Sequence, residues 1–135
     1  MSEVIETKTV LVNGKPLPFG YDCKSLTYDM GDPEITVRNA VNGGSNVSIH
    51  SENRETSIGM FKFDIFPTND VDSNDSRVYV RSLKQNVGSN TITVTSLKGK
   101  TLRWSGLSCT NKIEFNDNPD GTVSLEFQGD ASVIS

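Results

Sequence analysis

The chain is poor in the residues that carry most protein chemistry. It has one histidine, His50, and two cysteines, Cys23 and Cys109, in 135 residues. A single cysteine pair cannot make a four-ligand zinc site. Nothing points to an oxidising compartment, so two free, half-buried thiols are expected. No apolar run approaches the roughly 20 residues that span a bilayer, so no membrane span is expected. Met1-Ser2-Glu3 offers neither a basic start nor an apolar stretch, and no secretory signal is read there. The chain is therefore expected to stay in the cytosol where it is made, or to assemble there into something larger. Hydrophobic residues are scarce at 34%. That fits a thin β core with a surface that is polar or used for assembly.

Catalytic and ligand-binding motifs are missing as well. There is no G-x-S-x-G elbow to accompany His50, and no Walker loop or dinucleotide fingerprint. Asp70-x-Asp72-x-Asn74 opens like a calcium loop, but the next positions carry Asp75 for glycine and Arg81 for the closing glutamate. Asn116-x-Asn118-x-Asp120-Gly121 ends its twelfth position on Phe127, which cannot coordinate, and reads as a turn. The expectation is no enzyme, no metal and no cofactor. Trp104 could serve as a sugar platform, although no aromatic neighbour in sequence supports it, and core packing is the plainer role for the aromatics.

Acids outnumber bases, giving a net charge of -4, against a dedicated nucleic-acid binder with its basic face. The charge is blocked. Arg77, Arg81, Lys84, Lys98, Lys100, Arg103 and Lys112 fall in one acid-free stretch. Glu114, Asp117, Asp120, Glu126 and Asp130 fall in a base-free one. Such blocks can attract one another within a fold or between copies.

What is present is short alternation broken by turn residues, the signature of β-structure. Residues 8–12 form a first strand ended by Asn13-Gly14, a pair that tolerates positive φ. Residues 25–30 alternate and stop at Gly31-Asp32-Pro33. Residues 34–38 and 46–50 alternate about Asn42-Gly43-Gly44. They are read as a hairpin whose apolar side carries Ile35, Val37, Val47 and Ile49. Its wet face would carry Glu34, Thr36, Arg38, Asn46, Ser48 and His50. Residues 58–66 form the longest strand, with Phe61, Phe63 and Ile65 on one face and Lys62 and Asp64 on the other. One helix is expected over residues 71–86. Asp70, Asp72 and Asp75 stand near its start, Thr68 or Asn69 caps it, and Val80, Leu83 and Val87 form its apolar stripe. Strands resume at 91–95, 101–107 and 122–127, and residues 131–135 are expected to be loose or used in contacts. No linker or repeat divides the chain, so it is read as one domain. Its fold class is mainly β, a β-sandwich or partly closed barrel with one flanking helix.

Particular stretches carry a resemblance. The run Asn53-Arg54-Glu55-Thr56-Ser57-Ile58-Gly59-Met60-Phe61-Lys62-Phe63 resembles the connector-to-strand junction of bacteriophage tail tube proteins, with the helix following as in that family. Leu102-Arg103-Trp104-Ser105-Gly106-Leu107 and the finish Asp120-Gly121-Thr122-Val123-Ser124-Leu125-Glu126-Phe127-Gln128-Gly129-Asp130 extend the likeness over residues 25–130. The resemblance implies a homohexameric ring, rings stacked into a hollow tube in the virion tail, and inner sheets that join into a barrel. Genome DNA would pass through during ejection without specific binding. The partners would be further copies of the chain and the sheath, tape-measure, baseplate and terminator proteins, and the pattern leans toward a contractile tail. The wet face, with Lys62 and Asp64, would line the lumen, since a conduit must not hold phosphates on a cationic wall. The turn at Asn42, Gly43 and Gly44, or the connector at Glu52, Asn53, Arg54 and Glu55, would touch the next ring or remain plain loops. A tail-completion or baseplate adaptor ring, and a ligand-binding β-module, stand as alternatives.

Overall fold

The computed structural model describes residues 7–67, 75–116 and 121–135. The chain begins with β1 (Thr7–Val12), β2 (Lys15–Pro16) and β3 (Tyr21–Asp29). The hairpin β4 (Glu34–Asn42) and β5 (Ser45–Asn53) follows, then a 3-10 turn at Arg54–Thr56 and β6 (Gly59–Ile65). After helix α1 (Ser76–Gln85) come β7 (Asn90–Ser96), β8 (Thr101–Cys109), β9 (Val123–Gly129) and β10 (Val133–Ile134). The fold is mainly β, as expected, with one helix beside a large antiparallel sheet of order β2-β1-β7-β8-β9-β6-β3.

The sheet makes two layers because β8 serves both. Its first part pairs with β7, and its last residues Ser108 and Cys109 pair with β9. The pairing slips by one residue between Asn90 and Ile92, opposite Gly106, whose φ is +62°. A glycine in the left-handed region at such a slip bends the strand and increases its twist.

The core lies where the two inner faces meet. Phe61 pairs with Phe127, Phe63 with Leu125 and Ile65 with Val123, and all six are buried. Across from them lie Val10, Val12, Ile92, Val94, Trp104 and Leu107. Each large apolar side chain removed from water this way contributes about 1.5–3 kcal/mol. Trp104 packs edge-on against Phe61 and Tyr28, with centroids 5.2 Å away in both cases. Its Nε1 donates to Asp29 O at 3.0 Å. Being fully buried, it offers no face to a sugar, which removes the platform reading.

Helix α1 closes one side of the core with Val80 and Leu83. Its N-cap is Asp75, which accepts from Arg77 N at 2.8 Å. The expected caps Thr68 and Asn69, and Asp70 and Asp72 of the helix start, lie outside the described residues. Val87 falls beyond the helix and is 75% exposed, so the apolar stripe is shorter than its spacing promised. The final residues form β10, which pairs Val133 with Arg103 and Ile134 with Leu102 of β8.

Candidate functional site

No group of described residues forms a reactive constellation. No cluster of three or more His, Cys, Asp or Glu residues able to hold a metal occurs among them. No helix among them is long and apolar enough to cross a membrane. Cys109 is buried, Cys23 is exposed, and both are free thiols. Burial pushes the Cys109 thiol above its ordinary range, which keeps it protonated and unreactive.

The feature that stands apart is the β4–β5 hairpin, which among the described residues belongs to no larger sheet. β3 and β6 pair as far as Asp29 and Met60, and the hairpin continues beyond that end as an arm. At about 3.4 Å per residue its nine paired positions reach about 30 Å. Its root is fixed locally. Asn53 Oδ1 accepts from Glu55 N at 3.3 Å, and the Thr56 hydroxyl donates to Asn53 O and accepts from Glu34 N, both at 2.7 Å.

The arm closes through a two-residue Gly43-Gly44 turn, with φ of +60° and +83°. Positive φ at both positions suits the tight turn whose twist matches the flanking strands. That turn fixes the register from Asn42 opposite Ser45 to Glu34 opposite Asn53. Directly opposed residues share a face. Val37 thus lies beside His50, Ile35 beside Glu52, and Val41 beside Asn46. On the other face Arg38 lies beside Ile49, Ala40 beside Val47, and Thr36 beside Ser51.

The single wet face read from the sequence is therefore not formed. Glu34, Thr36 and Arg38 share a face with Val47 and Ile49, whereas Asn46, Ser48 and His50 share the opposite face with Ile35, Val37 and Val41. Alternation within each strand is as expected, but the turn is shorter by one residue than the expected face required. A change of one reverses every side chain of a strand. Lys62 and Asp64 are not in the arm. They sit on the outer face of β6, where Lys62 opposes Thr27 and Glu126, and Asp64 Oδ1 accepts from Ser124 Oγ at 2.5 Å. The residues proposed for ring contact fall at both ends of the arm. Gly43 and Gly44 form its tip, with Asn42 just before them. Glu52 and Asn53 close its root, beside Arg54 and Glu55 in the 3-10 turn.

Both faces of the arm carry exposed apolar side chains: Val41 at 73%, Ile35 at 62%, Val37 at 55%, Ile49 at 52% and Val47 at 41%. Ile35, Val37, Val47 and Ile49 are read from the sequence as one apolar side of the hairpin. Their alternation carried the right period, but periodicity does not tell whether the cover comes from the same chain. Every described side chain of the arm except Ala40 is exposed. A two-stranded ribbon with nothing against it is marginal in water, and exposed strand edges are templates for pairing. The arm adds a second need for cover to that of β3, which among the described residues ends the main sheet and pairs on one side only.

No protein-family model and no curated protein matches this chain.

Proposed function

We propose that this chain is a non-catalytic structural subunit of a bacteriophage tail tube, in which six copies close into a ring and rings stack into a conduit for genome DNA. One observation carries the reading: an arm of about 30 Å with apolar residues on both faces and both long edges unpaired by any described residue of its own subunit. Such an arm is stable and soluble when neighbouring copies cover it, and a repeated, self-complementary neighbour is supplied by symmetric assembly. The face bearing Ile35, Val37 and Val41 is the more apolar and packs on a neighbour. The face bearing Glu34, Thr36 and Arg38 also carries Val47 and Ile49, but its charges are mixed in sign, and it is the better wall for a channel that must release phosphates. On this assignment Asn46, Ser48 and His50 leave the lumen set, and Lys62 and Asp64 belong to the body of the subunit.

Negative-stain electron microscopy of purified protein, with mass by light scattering, tests the reading. Hollow rings of six copies that stack into tubes are the expected result. A single ring that never stacks would assign the chain to an adaptor position in the tail. A protein that stays monomeric at high concentration would overturn the reading.

A further inference from the structure

Helix α1 and the segment after β8 enclose a cleft of about 600 Å³. Val80, Ile113 and Phe115 line its apolar part, and Arg77, Arg81, Lys84 and Lys112 supply four cations. On the helix, positions 77, 81 and 84 are spaced to project along one side. Lys84 donates to Cys109 O at 2.9 Å and Asn111 O at 2.8 Å, so the wall opposite the helix is tied to it. Arg77 is engaged with Asp75 at 2.7 Å. Arg81 and Lys112 are exposed, and neither side chain makes a hydrogen bond or ion pair with any described residue. In a chain of net charge -4, this is a local concentration of the opposite sign.

The complementary surface is elsewhere on the same chain. Asp32, Glu34, Glu52 and Glu55, all exposed, fall at the root of the arm, where Arg54 is the one cation in the same stretches. None of those four carboxylates forms a salt bridge among the described residues. No residue of the acidic root lines the basic cleft. A contact between two different patches on identical chains is head-to-tail, and it generates closed rings or open stacks.

We propose that the cleft seats the acidic root of the arm of a second copy, with Arg81 and Lys112 facing Glu52 and Glu55. The proposal rests on the tube-subunit reading and names the contact that would join its copies. It places the exposed apolar base of the arm, at Ile35, beside the apolar part of the cleft, where Phe115 is available to cover it.

Charge exchange in the full-length chain tests this. The double variants R81E/K112E and E52K/E55K change only exposed side chains, and circular dichroism and melting verify that each remains folded. Each is expected to raise the concentration for half-assembly about tenfold or more, as removal of charge complementarity does. The quadruple variant, with both reversals, is expected to return to within about threefold of wild type, since the pairs re-form with opposite polarity. Half-assembly concentrations equal to wild type in both double variants would overturn the proposal and leave the tube reading standing. A quadruple variant no better than the doubles would overturn it as well. Binding of a labelled single-stranded DNA that R81E/K112E abolishes while assembly is unchanged would assign the cleft to phosphates instead. A wild-type chain that is monomeric at every concentration would remove the tube reading, and this contact with it.

Discussion

Replacing Trp104 with alanine removes ring contacts to Phe61 and Tyr28 and leaves Asp29 O without its donor. The expected loss is about 3–5 kcal/mol, typical of a large aromatic deleted from a closed core, measured as the shift in urea unfolding. Gly106 is constrained in a different way. Its φ is +62°, and a methyl group there would press on the Asp130 carboxylate at 2.5 Å. Gly106→Ala is expected to cost more than about 1 kcal/mol, whereas Gly88→Asn, at φ +68° with open space around it, is expected to be nearly neutral. Asp75 gives a pH-dependent prediction. Its hydrogen bonds to the Arg77 side chain and backbone hold its carboxyl below the ordinary value of 3.8. The folded pKa is depressed, so the stabilisation is fully present above the ordinary value and is lost as pH falls through the folded one. The stability difference between wild type and Asp75→Ala is therefore expected to be flat from neutral pH down to that region and to close in stronger acid.

The arm separates folding from assembly. Val37→Thr with Ile49→Thr alters side chains that touch little in the same subunit, so the unfolding free energy of the monomer is expected to stay within about 0.5 kcal/mol of wild type. Half-assembly, followed by light scattering, is expected to need a markedly higher concentration. Replacing residues 35–52 by a short Gly-Ser turn is expected to leave a folded body without assembly. The arm also marks how far the sequence could be read. The core strands β6 and β9 were legible because their alternation has one buried side: Phe61, Phe63 and Ile65 against Val123, Leu125 and Phe127. Asn13-Gly14 and Gly43-Gly44 were legible as turns because both demand positive φ. The face on which Glu34 and His50 lie was not, since it depends on whether two or three residues make the turn, and the residues there permit either. In β3 three extra residues separate the pairs Asp22–Asp64 and Thr27–Lys62. Ser25 Oγ fills that gap by accepting from Asp64 N at 2.8 Å, a local bond that no periodicity announces. The cleft cations were visible only as part of a basic block, because Lys112 reaches α1 through the return of the chain after β8.

Across the molecule the two layers depend on partners distant in the chain. β1 lies beside β7, with Val10 opposite Val94, and β6 lies between β3 and β9, with Phe61 opposite Phe127. Among the described residues the arm, the short β1–β2 hairpin and the β7–β8 hairpin are closed by neighbours in sequence. Contacts between distant strands make folding slow, because the loop entropy is lost before the pairing is gained. As the ribosome releases the chain, β1 must wait for β7 and β6 for β9, while the arm can zip within microseconds of its emergence. The element with which copies would recognise one another thus becomes available before the body it serves. A nascent chain stalled after residue 66 would expose arm and unfinished sheet together, and crowded polysomes are where mispairing between such chains would begin.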